Sequence, residues 1–261
     1  MNWQALDLSI LAPAFLAGLI VLSTHVPFGH LVLKRGIIFI DLAVAQIAGL
    51  GVIAADQFGW NDEPWQVQAS AITMAIMGAF LLRWTDKKFA KNQEALIGVL
   101  FVLAATLSLL LISNNPHGGE HLKNLLVGQI LWVSYEQLIP VAMVYALLLF
   151  LWFGFNISNK IPGAFYLFFA IVVTVSVQLI GVYLVFASLI IPALTTQQKM
   201  LNSHKLIYAF SVGVIGYLFG LIVSALFDLP SGAMIVWGLA VSGLLHLLFS
   251  FLLLKTKHKA F

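Results

Sequence analysis

The sequence predicts an all-α, polytopic membrane protein. Of its 261 residues, 61% are apolar and only 9% are charged, and the mean hydropathy is +1.01. A typical soluble domain has about 25% charged residues, and a globule of this length cannot bury so much apolar surface. The remaining apolar surface must therefore contact lipid.

Eight apolar runs account for most of the chain. The hydrocarbon core of a bilayer is about 30 Å thick and requires about 20 helical residues to cross. Runs of this order lie at Leu8–Pro27, Ile37–Ala55, Trp65–Leu82, Ala95–Ser113, Leu138–Phe155, Gly163–Leu194, Leu206–Phe227 and Met234–Leu254. No long linker separates them, so we predict a single transmembrane domain over residues 1–261.

The sixth run is about 32 residues long, which exceeds the length of one perpendicular helix. Lysine and arginine favour the cytoplasmic side of a membrane. If this run crossed once, Lys199, Lys205 and the lysines of the C-terminal tail would lie outside, whereas a run that crossed and returned would place them inside. We therefore predict a break near Gly181, an exterior N-terminus and a cytoplasmic C-terminus.

The groups that the sequence lacks exclude several classes of protein. It has no cysteine, so nitrogen and oxygen atoms must hold any metal, and disulfide scaffolds and iron–sulfur clusters are excluded. It has no Gly-x-x-x-x-Gly-Lys-Ser/Thr phosphate loop, no His-Glu-x-x-His and no Gly-x-Ser-x-Gly. We expect neither an enzyme nor a permanently bound cofactor. The net charge of +3 reflects membrane topology rather than nucleic-acid binding.

Asp41 is the carboxylate that lies furthest inside an apolar run. It belongs to the second run and follows Lys34 and Arg35 by about a turn and a half of helix. Ionisable side chains within a span are costly and are often functional. Two interpretations are open: Asp41 lines a cation pathway, or it pairs with these bases or with a neighbouring helix.

Three other polar side chains are candidates for the same pathway. His25 lies near the end of the first run, and Gln46 and Gln178 lie in the second and sixth runs. Histidine together with a carboxylate suits a divalent transition metal. The alternative is structural, because a buried amide or imidazole in a bundle usually hydrogen-bonds to a neighbouring helix.

The loop after the fourth run contains His117, Glu120 and His121 within five residues. Imidazole and carboxylate groups at this spacing suit a divalent cation at an exterior entrance. The alternative interpretation is a solvated turn.

Five stretches follow one another along the chain in the order of a known family. They are Lys34-Arg35-Gly36 through Asp41, Glu94 followed by Ile97-Gly-Val-Leu-Phe101, Leu125-Leu-Val-Gly-Gln-Ile-Leu-Trp-Val-Ser134, Gly181-Val-Tyr-Leu-Val-Phe-Ala-Ser-Leu-Ile-Ile-Pro-Ala193 and Asp228-Leu-Pro-Ser-Gly-Ala-Met-Ile-Val236. Together they resemble the permease subunits of zinc, manganese and iron uptake ABC importers, the metal-chelate or ABC-3-type permease family. The resemblance covers nearly the whole chain.

This resemblance implies a type II ABC importer-like transmembrane domain in the bacterial inner (plasma) membrane. It implies a homodimer driven by a separate ATP-binding cassette ATPase subunit, which uses the ATP, and fed by an exterior (periplasmic) metal-binding protein. We expect the transported ion to be divalent. Zinc is the first candidate, and manganese and iron come next.

The sequence departs from the family pattern at two places. The family has an Asp and, four residues later, a His in the second span, whereas here Ala45 follows Asp41 at that spacing and Gln46 comes next. Gln46 points about 140° away from Asp41 on a regular helix, so the two share a face only if the helix is distorted. The second departure is the segment from Phe155 to Gly163, which is shorter than the family's coupling segment and has no carboxylate.

These departures leave two alternatives to a metal importer. The missing histidine is compatible with a permease for a different small solute. The shortened segment is compatible with a membrane scaffold or regulatory component that has lost coupling to an ATPase.

The predicted topology is testable with reporter tags. Tags placed at Lys199 and at the C-terminus should both report the cytoplasm, because the sixth run crosses and returns. An exterior signal from either tag would contradict the returning element.

Overall fold

The chain forms a bundle of ten α-helices in a computed structural model that describes residues 6–60, 64–113, 115, 118–155, 157, 161, 163–197 and 202–259. These residues include no β-strand. The helices are α1 (Leu8–Arg35), α2 (Ile40–Gln57), α3 (Pro64–Phe89), α4 (Gln93–Ile112), α5 (Gly118–Val127), α6 (Tyr135–Leu149), α7 (Ala164–Ile180), α8 (Val182–Thr195), α9 (Asn202–Phe227) and α10 (Ser231–Lys259).

The predicted count of eight hydrophobic segments is not confirmed. Within the described residues, six helical stretches are long and apolar enough to cross a membrane. One of them, Trp65–Ile112, is a run of 48 residues that joins the predicted third and fourth segments. The predicted sixth segment instead forms two shorter helices of 17 and 14 residues.

The 48-residue run bends between α3 and α4. A short 3₁₀ turn at Ala90–Asn92 joins the two helices, and Phe89 and Asn92 have non-helical φ values of −134° and −111°. Helix α2 packs against both α3 and α4. An 18-residue helix is about 27 Å long and a straight run of 48 residues would be about 72 Å long, so both halves reach α2 only if the run turns back.

The predicted break in the sixth element is present at Gly181. This residue has φ 80° and ψ 161°, a conformation that glycine adopts without the Cβ clash of other residues. At the start of α7, the Arg35 guanidinium carbon lies 4.3 Å from the ring centroid of Phe165. After α8, Thr196 Oγ1 lies 3.1 Å from His30 Nε2. Both ends of the broken element therefore lie beside the last turns of α1, and the chain returns to the end from which it left.

Glycines bring the backbone segments at the break into direct contact. A Cβ atom on Gly128, which has φ +72°, would lie 2.2 Å from the carbonyl of Ile180. A Cβ atom on Gly181 would lie 2.3 Å from the Gly128 nitrogen, and one on Gly232 would lie 2.6 Å from the Val127 oxygen. The end of α5, the break and the start of α10 thus meet where no larger residue fits.

Helix α1 packs against α6, α8 and α9. Its Phe28 is buried, with its ring centroid 5.2 Å from that of Trp152 and about 6 Å from those of Phe165 and Phe169. Further along α1, Gly18 lies against the Tyr217 ring of α9. Apolar packing and close helix approach at small residues are the usual forces between helices in lipid.

The contact at Gly128 predicts a large effect of a single methyl group. Gly128→Ala should destabilise the purified protein by at least about 2 kcal/mol. A left-handed φ costs roughly 1–2 kcal/mol for a residue other than glycine, and the new methyl group would also clash with Ile180. Thermal unfolding in detergent measures the loss. Gly98→Ala is the matched control, since a Cβ atom there has no heavy atom within 4 Å. Equal stability of the two variants would contradict the close contact.

Candidate functional site

Asp41 is a buried carboxylate without a partner. It is the second residue of α2 and is 0% exposed. Neither of its carboxylate oxygens has a hydrogen-bond partner among the described residues. Lys34 and Arg35 are exposed, and the Arg35 guanidinium lies over the ring of Phe165 instead. An ion pair with these bases is therefore absent, and both oxygens of the Asp41 carboxyl group are left free for another partner inside the bundle.

A second carboxylate lies beside the start of α2. The Phe39 N–H donates to Glu94 Oε1 at 3.1 Å, and Glu94 Oε2 is buried without a partner among the described residues. Glu94 lies in the first turn of α4. Negative charge is favourable at a helix N-terminus, where backbone N–H groups are unpaired. The sequence analysis used Glu94 only as part of a motif. Its position directly before a long apolar run could have identified it as a candidate site residue.

His25 has one free ring nitrogen in the interior. The residue is 0% exposed, and its Nδ1 lies 2.9 Å from the Val21 carbonyl oxygen. A carbonyl only accepts, so Nδ1 carries the proton and the lone pair is on Nε2. Nε2 is buried and has no partner among the described residues. In this tautomer Nε2 is the nitrogen that can act as a metal ligand.

His30, one turn further along α1, is engaged at both nitrogens. Its Nδ1 lies 2.9 Å from the Val26 carbonyl oxygen, and its Nε2 lies 3.1 Å from Thr196 Oγ1. The ring therefore ties α1 to the end of α8, which is a structural role. Of the two histidines of α1, His25 alone keeps a nitrogen for another partner.

Gln46 faces a different part of the interior from Asp41. Helix α2 runs without a break from Ile40 to Gln57, so the distortion that would bring Gln46 beside Asp41 is absent. Gln46 is 7% exposed and borders a cavity of about 640 Å³ between α2, α4, α5, α8 and α10. Leu42, Phe101, Tyr183, Phe186 and Trp237 are among the other residues that line this cavity.

Gln178 lies in the last turn of α7 and is exposed. It borders a cleft of about 800 Å³ between α3, α6 and α7, whose lining does not include Gln46. The structural alternative for Gln46 and Gln178 was a hydrogen bond to a neighbouring helix. Neither side chain hydrogen-bonds to a described residue, and each amide faces a cavity instead.

The structure does not join the predicted pathway residues into one metal centre. No three histidine, aspartate or glutamate side chains of the described residues lie close enough to hold a metal ion together. Asp41 and His25 each present an unpartnered atom in the interior, whereas Gln46 and Gln178 border separate cavities. Transient passage of an ion needs fewer protein ligands at one moment than a permanent site does, because water can complete the coordination shell.

The predicted exterior entrance is only partly within the described residues. Glu120 is exposed in the first turn of α5. His117 and the side chain of His121 lie outside the described residues. A cation entrance at these three residues stays a prediction.

Comparison with known proteins connects this geometry to one family. Residues 7–251 match the model of the ABC 3 transport family. The chain is 22% identical to the high-affinity zinc uptake system membrane protein ZnuB of Haemophilus influenzae over 87% of this chain and 92% of that protein. It is 25% identical to the manganese transport system membrane protein MntC of Halalkalibacterium halodurans over 95% of this chain and 89% of that protein.

A solved structure shares the fold. PsaBC from Streptococcus pneumoniae, in complex with a Fab, contains a chain that matches with a TM-score of 0.70 at 20% sequence identity. The match covers 91% of this chain and 89% of that chain. The resemblance found in the sequence motifs is therefore confirmed for the family and for the fold.

The isolation of Asp41 predicts a stabilising substitution. Asp41→Asn should raise the melting temperature of the purified, metal-free protein by about 2–4 °C, the shift that 1 kcal/mol produces in a domain of this size. A buried carboxyl group without a partner must either hold an uncompensated charge or take up a proton when the chain folds, and asparagine does neither. Differential scanning fluorimetry in detergent measures the shift. A lower melting temperature would indicate an ion pair at Asp41.

Asp7→Asn is the matched control. The Asp7 side chain caps α1 by accepting from the Ser9 N–H at 2.8 Å, and the hydrogen bonds with Ser9 lower the pKa of this carboxyl. Asparagine caps helices about as well as aspartate, so this variant should melt within about 1 °C of the wild type.

Proposed function

The chain belongs to the ABC 3 transport family, and from that membership we propose that it is the membrane-spanning permease subunit of an ATP-driven importer for divalent metal ions. The observation that carries the proposal is Asp41, a fully buried carboxylate without a partner. A cation that passes Asp41 would supply the partner that the described part of the protein does not provide. Divalent ions favour anionic oxygen ligands, and relatives named for zinc and manganese transport support this choice of cargo.

Within this class we propose zinc as the cargo, with manganese or iron next. The absence of cysteine restricts the ligands to nitrogen and oxygen. His25 supplies a buried imidazole nitrogen with a free lone pair, and imidazole suits zinc better than it suits the harder manganese ion. Asp41 supplies oxygen, which all three ions accept.

The proposed importer requires further subunits. We propose a separate ATP-binding cassette ATPase, because the chain has no phosphate-binding loop of its own, and an exterior metal-binding protein that delivers the ion. We further propose two copies of the chain in the inner membrane, with the N-terminus outside and the C-terminus in the cytoplasm. Family membership supports the ATPase and the metal-binding protein as partners. The orientation is supported by the placement of lysine and arginine along the chain.

Reconstitution tests the function directly. The chain is purified with its ATPase, placed in vesicles and supplied with the metal-loaded exterior binding protein, and accumulation of radioactive zinc is measured with and without ATP. ATP-dependent accumulation supports the proposal. ATP turnover that rises with another solute but not with zinc, manganese or iron would favour a different cargo, and failure to associate with any ATPase would favour a scaffold.

The role of Asp41 predicts a selective loss of transport. Asp41→Asn should lower zinc uptake at least about tenfold while the amount of folded protein in the membrane stays the same, because asparagine keeps the shape and removes the charge that attracts the ion. Uptake is normalised to inserted protein, and Asp7→Asn is the control. Wild-type uptake in Asp41→Asn would leave this residue without a transport role.

A further inference from the structure

The cleft between α3, α6 and α7 has a graded polarity that the transport function does not explain. We call it the glutamine cleft, and its volume is about 800 Å³. Four glutamines and two tryptophans contribute to its lining: Gln68, Gln129, Gln137, Gln178, Trp65 and Trp132. The remaining lining residues are aliphatic or proline, and none of the lining residues is charged.

The three helices that form the cleft change from polar to apolar in the same direction. On α6 the lining runs from Gln137 through Val141 to Val144, and on α7 it runs from Gln178 through Val175 to Ile171. Seven helical residues span about 10 Å, so each helix has its amide at one end of the cleft and its aliphatic side chains about 10 Å deeper. On α3, Gln68 precedes Ile72 in the same order.

The polar ends of these helices coincide at one rim. Gln178 lies three residues before Gly181, whose backbone contacts Gly128, the neighbour of Gln129. Gln137 follows Trp132 by five residues at the start of α6. Helices α6 and α7 are joined deeper in the bundle by the hydrogen bond from Tyr145 Oη to the Val172 carbonyl oxygen, at 3.0 Å. The cleft therefore has an amide rim with tryptophan beside it and an apolar floor.

The rim amides have free hydrogen-bonding groups. The side chains of Gln68, Gln129 and Gln178 make no hydrogen bond to a described residue. Gln137 uses its Oε1 to accept from the Ser134 N–H in a capping box, which leaves its amide hydrogens available. Neutral amides donate to ester carbonyl and phosphate oxygens, and tryptophan favours the interface between headgroups and hydrocarbon.

We propose that the glutamine cleft binds one membrane glycerophospholipid. The rim amides hold its ester and phosphate oxygens, and one acyl chain lies on the floor formed by Ile72, Val144 and Ile171. A metal ion is a poor occupant, because the lining has no carboxylate or imidazole. A helix of a second protein is also a poor fit, since its apolar face would leave the rim amides unpaired.

Photocrosslinking of a lipid tests the proposal and does not depend on transport. The full chain is reconstituted in vesicles of phosphatidylethanolamine and phosphatidylglycerol that contain a trace of phosphatidylethanolamine with a diazirine in the middle of one acyl chain. Crosslinked residues are mapped by mass spectrometry after illumination. We expect Val144 and Ile171 to be labelled at least about fivefold more than Leu245 and Leu248, which are exposed on α10. Equal labelling of the two surfaces would overturn the proposal.

Two pairs of variants separate bound lipid from bulk lipid. Ile171→Trp fills the floor and should abolish the excess labelling at Val144, whereas Leu245→Trp on α10 should not change it. Gln178→Leu should lower the amount of phospholipid retained through purification roughly fivefold, as expected for the loss of one hydrogen bond, whereas Gln66→Leu, outside the lining, should not. Retention that is unchanged in Gln178→Leu, or excess labelling that survives Ile171→Trp, would overturn the assignment.

Competition identifies the part of the ligand that is recognised. Unlabelled phosphatidylethanolamine should reduce the excess labelling, and sn-glycerol 3-phosphate, which has the polar group without acyl chains, should not. Competition by glycerol phosphate alone would indicate a site for a free phosphate and would overturn the lipid assignment. Crosslinks between two copies of the chain at Val144 or Ile171 would likewise overturn it, because the cleft would then be an interface.

Discussion

The structure depends on one constraint: polar groups inside a bilayer must find their partners within the protein. The backbone meets it through helices, and many hydroxyl side chains meet it by donating back to the preceding turn. Thr174, for example, donates to the Ala170 carbonyl oxygen at 2.7 Å, and Ser211 donates to that of Ile207 at the same distance. Against this background an interior carboxylate whose two oxygens have no partner, as at Asp41, is a costly exception. Such an exception is understandable if the missing partner is the transported ion.

The break in the sixth element obeys the same constraint by a different route. Gly181 leaves the helical conformation, but its N–H still bonds to the Val177 carbonyl oxygen, and its own carbonyl accepts from the Val185 N–H. The backbone of Gly128 packs directly against the break. Non-helical backbone in a membrane domain is tolerated where protein surrounds it, and here glycine at both contacting positions makes the close approach possible.

Unpaired polar atoms are concentrated at a few places in the described part of the chain. Asp41, His25 and Glu94 have buried atoms without partners and carry chemistry suited to a cation. The glutamine cleft has neutral amides and no charge, which suits the oxygens of a lipid. The two kinds of site lie on different helices, so a substitution at one leaves the side chains of the other unchanged.

The class of the protein and the position of its broken element follow from local features of the sequence. Composition and run length indicated a helical membrane domain, and an overlong run that contains Gly181 indicated the break. Helix formation and the break depend on neighbouring residues and on local φ, so the sequence is enough to predict them. Asp41 was also identified as a candidate from its position in an apolar run, and the structure buries it. The count of spans did not follow, because the sequence gives no measure of how far Ala90–Asn92 interrupts a helical run.

Which polar side chains have partners depends on the packing of the helices. His25 and His30 look equivalent in sequence, yet Thr196 reaches only His30, 166 residues later in the chain. Glu94 lies beside the start of α2, where it accepts a hydrogen bond from the Phe39 N–H. Gln46 and Gln178 border two different cavities. These outcomes depend on the packing of helices that are remote in sequence. That packing arises from many small contacts summed over whole helix surfaces, and a pattern along one segment does not contain it.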